Sequence, residues 1–190
     1  VGLRSMLRQD PDVVMVGEVR DDETARIAIQ ASLTGHLVLS TVHTNSAVGA
    51  ITRLRDMGIE SFLLASSLKT IISQRLIRRL CNHCKTTEKL TMGMAKNFDL
   101  EDNTIVYVPT GCDHCEGSGY FGRVAIAESI QIDSRLKNMI HESASEQEIS
   151  KYAFTDNQPI DQLAKELIIN GLTSSAELLR IKTQKEDASI

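Results

Sequence analysis

Apolar residues along this chain fall into short blocks whose period switches between strand-like and helix-like spacing. Val13-Val14-Met15-Val16 is an unbroken apolar run that stops at Gly17, and it predicts a strand buried on both faces, as in a parallel sheet. Asp21-Asp22-Glu23 then supplies acids suited to cap and charge a helix start, with Ala25, Ala28, Ile29 and Ser32 on one face until Gly35. His36 to Val42 predicts a second buried strand. The next helix carries Ala47, Ala50, Ile51, Leu54 and Met57 and ends at Gly58. Ahead of all this, Val1 to Gln9 reads as helix, stopped by Asp10-Pro11, because a residue before proline avoids the α region.

Ser61 to Leu80 predicts another amphipathic helix, with Leu64, Leu68, Ile71, Ile72 and Leu76 inward and Arg75, Arg78 and Arg79 outward. Thr86 to Asn103 is polar, Ile105 to Val108 predicts a small strand, and Gly122 to Ile132 predicts a strand returning to the main sheet. The remainder is helical. Ser145-x-x-Glu148 and Ser174-x-x-Glu177 both fit the capping box, Pro159 and Gly171 punctuate between them, and Leu163, Leu167, Ile168, Leu172, Leu178 and Leu179 supply a core. Lys182 to Ile190 reads as a frayed tail.

The opening order of helix, strand, helix, strand, helix is half of a doubly wound α/β sheet. Three regions are expected: 1–80 as part of an α/β core, 81–119 as a metal-binding subdomain, and 120–190 as a returning strand and helices. At 190 residues the chain is long enough for one good core and a small appendage. Charged residues make up 24%, the net charge is −4 and tryptophan is absent, which fits an ordinary soluble cytosolic protein and not a nucleic-acid or membrane binder. No apolar run approaches a membrane span, and no signal-peptide pattern opens the chain.

The four cysteines form two couplets, Cys81-Asn82-His83-Cys84 and Cys112-Asp113-His114-Cys115. Each C-x-x-C sets two thiolates on one tight turn, and two such turns complete a closed tetrahedral zinc site with no position left for a catalytic water. The expected metal is therefore a structural Zn²⁺ on Cys81, Cys84, Cys112 and Cys115. Two disulfides are the competing arrangement, but nothing else in the chain has a secreted character. His83 and His114 are expected to face outward.

Two loops follow the two predicted strands, Gly17-Glu18-Val19-Arg20-Asp21 and His43-Thr44-Asn45. Ligands bind at the carboxyl edge of open α/β sheets. There a carboxylate can hold Mg²⁺ through water or polarise an attacking water, and a histidine can donate to a phosphate oxygen. On residue type alone a second reading stays open, in which Glu18 is a solvated loop residue and His43 a satisfied turn histidine.

The segment Asp10-Pro11-Asp12-Val13-Val14-Met15-Val16-Gly17-Glu18-Val19-Arg20-Asp21 resembles the Walker B region of the secretion ATPase superfamily, and Thr34 to Asn45 resembles its histidine box. The tetracysteine segment followed by Gly119-Tyr120-Phe121-Gly122-Arg123 is similar to the zinc subdomain of the branch that drives type II secretion and type IV pilus assembly. Within it, Thr44 to Ala50 and Thr52 to Glu60 look closest to the type II secretion ATPases.

This resemblance implies a partial RecA-like fold and an ATPase motor subunit, working as a hexameric ring on the cytoplasmic side of the bacterial inner membrane with membrane-platform partners. Glu18 would position or activate water and His43 would contact the γ-phosphate. Arg20 and Asp21 would complete the nucleotide-binding signature, and Arg20 equally fits a purely structural pairing with a neighbouring carboxylate.

No G-x-x-x-x-G-K-[ST] loop occurs anywhere in the chain. The expectation is therefore the carboxyl-terminal portion of a longer ATPase, inactive alone, with ATP and Mg²⁺ belonging to the complete protein. The stretch Phe154 to Ile160 departs from the basic run expected of the family there. Cys112-x-x-Cys115-x-Gly117-x-Gly119 also resembles the repeat of the J-domain co-chaperones, a zinc-ribbon protein-binding module, although the Cys81 couplet lacks the glycines. A DNA-translocating ATPase would use Arg75, Arg78 and Arg79 on phosphates, which the net acidity opposes.

Overall fold

A computed structural model describes Gln9, residues 11–155 and residues 157–186, with the side chains of 181–186 excepted. The helix expected over Val1 to Gln9 lies outside the described residues except for Gln9, a turn residue. The chain divides into two compact units, Val1–Ser73 with Ser129–Asn157, and Gln74–Glu128 with Gln158–Ile190.

In the first unit, β1 (Val13–Val16) and β2 (Leu37–Ser40) pair in parallel, Val13 opposite Leu37 through Val16 opposite Ser40. Between them runs α1 (Asp22–Leu33), the helical crossover that a parallel pair requires. Asp21 caps it by accepting from the Thr24 N–H at 2.8 Å. Next come α2 (Gly49–Asp56) and α3 (Ser61–Ser67). Val14 and Val16 share a core with Ala25 and Ile29 of α1, Ile51 and Leu54 of α2, and Leu64 of α3.

The expectation that β1 is buried on both faces fails. Val13 and Met15 are 54% and 70% exposed, and their cross-strand partners Leu37 and Leu39 are 52% and 49% exposed. Packing covers one face among the described residues; the opposite one carries four bare apolar side chains.

The helix expected over Ser61 to Leu80 is also corrected. It ends at Ser67, and Thr70–Leu80 is a long strand, β3. Leu68 leaves the helical region at ψ 134°, and the β-branched Thr70-Ile71-Ile72 that follows is stiff at χ1 and suits an extended chain. Burial then alternates with period two: Ile71, Ser73, Arg75 and Ile77 point inward, whereas Ile72 and Leu76, assigned to the core by helical spacing, are exposed. The partner of β3 is β6 (Tyr120–Gln131), so the expected return of that strand to the β1–β2 sheet does not occur. After β6, α5 (Ser134–His141) and α6 (Glu146–Ala153) complete the first unit. The Ser145–Glu148 capping box forms as expected. Arg55 of α2 donates to the carbonyls of Ile140 and Ala144.

The second unit contains β4 (Thr86–Lys89) antiparallel to β5 (Ile105–Val108), α4 (Met92–Asn97), a 3-10 turn at Asp113–Cys115, α7 (Ile160–Ile169) and α8 (Ser175–Glu186). The polar stretch Thr86 to Asn103 nevertheless contributes Leu90, Ala95 and a fully buried Phe98 to a core with Ile77, Val106, Ile126, Ala164, Ile168 and Leu178. Gly171, at φ +64°, lies against the Tyr107 ring, where any Cβ would come within 2.4 Å. The tail expected to fray from Lys182 instead continues α8 to Glu186; residues beyond it lie outside the described set.

The second capping box forms only in half. Ser174 Oγ accepts from the Glu177 N–H at 3.2 Å. The Glu177 carboxylate, fully buried, instead takes the Arg78 backbone N–H at 3.0 Å, Arg78 Nη2 at 2.7 Å and Arg180 Nη2 at 2.8 Å. Burial opposes its ionisation, but the bonds from Arg180 and Arg78 outweigh that and hold its carboxyl at about 2. A carboxylate ionised this readily in the native state stabilises it above the unfolded-state pKa near 4.3, and that contribution is lost as pH falls towards about 2. Glu177→Ala is expected to cost about 3–5 kcal/mol near neutral pH, read from urea unfolding. The variant should also lose less stability than the parent between pH 5 and 3.

Candidate functional site

Because β1 and β2 are parallel, their carboxyl ends share one sheet edge, and the loops leaving them meet there. The Val19 N–H donates to the Thr41 carbonyl at 2.9 Å, and Thr41 Oγ1 donates to the Gly17 carbonyl at 2.6 Å. Glu18, between those two anchor points, has one oxygen 2.6 Å from His43 Nε2. Its other oxygen takes Arg20 Nε at 2.7 Å and lies 2.6 Å from Arg20 Nη2.

The Glu18 side chain is 22% exposed, while those of His43 and Arg20 are 87% and 75% exposed. The oxygen facing His43 is buried and has no aligned hydrogen-bond donor despite the short approach. The bond from Arg20 lowers the Glu18 carboxyl pKa, assisted by the charges of Arg20 and His43. Arg20 is raised in turn, chiefly by its bond to Glu18.

Glu18, Arg20 and His43 are thus brought together, and Asp21 is set apart as the cap of α1, its carboxyl lowered by the Thr24 N–H. Such a cluster holds an ionised carboxylate beside an exposed imidazole. This carboxylate can accept a proton from water or take the outer-sphere water of a divalent cation.

A separate cavity of about 380 Å³ is lined by Val38, Thr41, Val42, Thr44, Ala50 and Ile71 among others. Its walls are largely apolar and include neither Glu18 nor His43, so the polar chemistry lies outside it. Sequence spacing gave no sign of a further tie: Glu146 of α6 receives Ser46 Oγ at 3.4 Å and Thr52 Oγ1 at 3.2 Å, and Ser46 Oγ in turn accepts the Gly49 N–H.

The four cysteines converge, all sulfurs lying within 4.8 Å of one another. Individual Sγ separations are 3.9 Å for Cys81–Cys112 and 3.7 Å for both Cys84–Cys115 and Cys112–Cys115. These are free thiols, nearly twice the roughly 2.05 Å of a disulfide bond apart. Backbone N–H groups of Gly111, Cys112 and Gly119 point at the sulfurs of Cys84, Cys115 and Cys115. Desolvation pushes Cys84 up to about 11; at Cys115 it is outweighed by the N–H groups of Cys112 and Gly119, which bring that thiol to about 6. Gly119 has φ +74°, and a Cβ there would sit 2.4 Å from Pro109 Cβ, so the turn needs glycine. His83 and His114 are exposed, their rings 4.2 Å apart, with Phe121 against His114. The cluster is a four-sulfur arrangement that could hold a metal ion.

Residues 1–180 match the model of the family described as Type II/IV secretion system protein. Type II secretion system protein E of Klebsiella pneumoniae is 49% identical over 183 residues, 96% of this chain and 37% of the relative. Type II secretion system ATPase E of Vibrio cholerae serotype O1 is 50% identical over 182 residues, 95% and 36% of the two chains. Type IV pilus assembly ATPase TfpB of Acinetobacter baylyi is 42% identical over 185 residues, 95% and 32%. This chain therefore spans about a third of the length of these relatives, 32–37%. Among solved structures, the pilus retraction motor PilT with bound ADP aligns at TM-score 0.67 and 27% identity, covering 95% of this chain and 42% of that one. The Legionella pneumophila ATPase DotB, at TM-score 0.66 and 21% identity, shares the α/β fold.

Proposed function

This chain belongs to the Type II/IV secretion system protein family, and from that premise we propose that it is the carboxyl-terminal part of the cytoplasmic ATPase motor that powers type II secretion. The observation that carries the reading is the 2.6 Å approach of Glu18 to His43 at the carboxyl edge of two parallel strands. In the complete protein this edge closes one side of a RecA-like nucleotide pocket, and Mg²⁺ supplies charge neutralisation on the triphosphate. Glu18, kept ionised by Arg20, orients and deprotonates the attacking water. His43, 87% exposed, donates to the γ-phosphate as charge develops on it. Asp21 fixes the start of α1 and so the loop that carries Glu18.

Cys81, Cys84, Cys112 and Cys115 hold a structural Zn²⁺. A tetrahedral site with Zn–S near 2.3 Å has sulfur–sulfur edges of about 3.8 Å, which matches the 3.7–3.9 Å found between three of the pairs. The complete protein works as a hexameric ring, peripheral at the inner membrane and docked on the membrane platform of the secretion system. Nucleic acid is not a partner. No helix of the described residues is long and apolar enough to cross a membrane.

Assembly of type IV pili is the second reading, favoured by the 42% identity to the Acinetobacter baylyi pilus ATPase. The test is complementation. In a strain lacking its type II secretion ATPase, the full-length protein is expected to restore export of secreted enzymes. Restored pili in a pilus-motor mutant, with no restored export, would select the second reading.

A further inference from the structure

We propose that Thr41 is a positioning residue for hydrolysis, a side-chain bracket that sets Glu18 against His43; this rests on the function proposed above. Thr41 makes two contacts that flank Glu18 on both sides. Its carbonyl takes the Val19 N–H at 2.9 Å, and its hydroxyl donates to the Gly17 carbonyl at 2.6 Å. The peptide units before and after Glu18 are thereby tied to a single residue, and that residue lies two positions before His43 on the same strand exit. Beyond Val16 and Ser40 the ladder between β1 and β2 has ended, so regular sheet pairing no longer fixes the register of the two loops. The Val19–Thr41 backbone bond and the Thr41 hydroxyl together take its place. Glu18 Oε1, buried and without an aligned donor, shows why register matters here: no hydrogen bond of its own holds that oxygen towards His43, so its place depends on the Arg20 contacts to the other oxygen and on the backbone beneath the side chain.

Valine has the shape of threonine and keeps the backbone bond from Val19, so Thr41→Val removes the hydroxyl bond alone; Thr41→Ser retains it. In the full-length protein, Thr41→Val is expected to lower kcat for ATP about tenfold or more with KM for ATP within about twofold, the signature of an interaction realised in the transition state. Thr41→Ser should restore kcat. Hydrogen exchange at Val19 should quicken about fivefold in the valine variant, the scale of one net hydrogen bond, and return to the parent rate with serine.

Normal kcat in Thr41→Val beside an inactive Glu18→Gln would overturn the role of Thr41 and leave the proposed function standing. Full activity in Glu18→Gln would overturn both. A kcat loss that serine fails to restore, or unchanged exchange at Val19, would also count against the bracket.

Discussion

Cys112→Ser is expected to release the metal and unfold the lobe that carries it. A serine hydroxyl stays protonated near neutral pH and is a poor zinc ligand, so three thiolates remain where four define the site. Structural zinc sites contribute about 10–16 kcal/mol of apparent free energy at neutral pH, whereas whole domains are stable by about 5–15 kcal/mol. The contribution being lost is comparable to everything else that holds the second unit. Little around the cluster could compensate. β4 is exposed along its whole length, and the Cys112 turn rests on short-range backbone bonds, on N–H bonds to sulfur and on two glycines at positive φ, Gly117 and Gly119. The measurement is zinc content by elemental analysis, together with hydrogen-exchange protection across residues 81–119. One zinc per chain with parental protection in Cys112→Ser would refute the four-sulfur site.

Glu18→Gln in the full-length protein is expected to reduce ATP turnover by about 10²–10⁴-fold, the range that a positioned general base supplies. Glutamine preserves size and still offers a carbonyl oxygen to Arg20, so the change is confined to the negative charge and the ability to take a proton. Because the size and the Arg20 contact are kept, folding should be unaffected. KM for ATP should stay within a few-fold, because in the proposed function the carboxylate acts on water and contributes little to ground-state nucleotide affinity. Phosphate release under saturating Mg-ATP reads the effect, and turnover within a few-fold of the parent would remove Glu18 from the mechanism.

How far the sequence foretold this structure depended on whether each feature was local. β1, β2, α1 and α2 could be read because their signals lie within a few residues: an apolar run closed by Gly17, Asp21 as a cap, and helical spacing from Ala47 to Met57. The Ser145–Glu148 box is local in the same way. β3 escapes a linear reading because Leu68, Ile71, Ile72 and Leu76 fit a helical stripe, whereas the strand puts Ile71 on one face and Ile72 and Leu76 on the other, and its partner β6 begins forty residues after it ends. Phe98 was missed for a related reason: a lone aromatic in a polar segment has no period, and its burial is made by α7 and β5. The cysteine spacing announced the convergence of the four sulfurs and the outward course of His83 and His114. The loops bearing Glu18 and His43 were legible as candidates, but the Thr41 hydroxyl bond to a carbonyl 24 residues earlier leaves no trace in a linear pattern.

The bare side of the β1–β2 pair has a practical consequence at the bench. Val13, Met15, Leu37 and Leu39 form a contiguous greasy plaque on a short two-stranded ribbon whose outer rims are also free among the described residues. Such a surface invites stacking and edge-to-edge growth. Light scattering from these 190 residues in isolation should climb with concentration, and aspartate in place of Met15 should keep the solution clear.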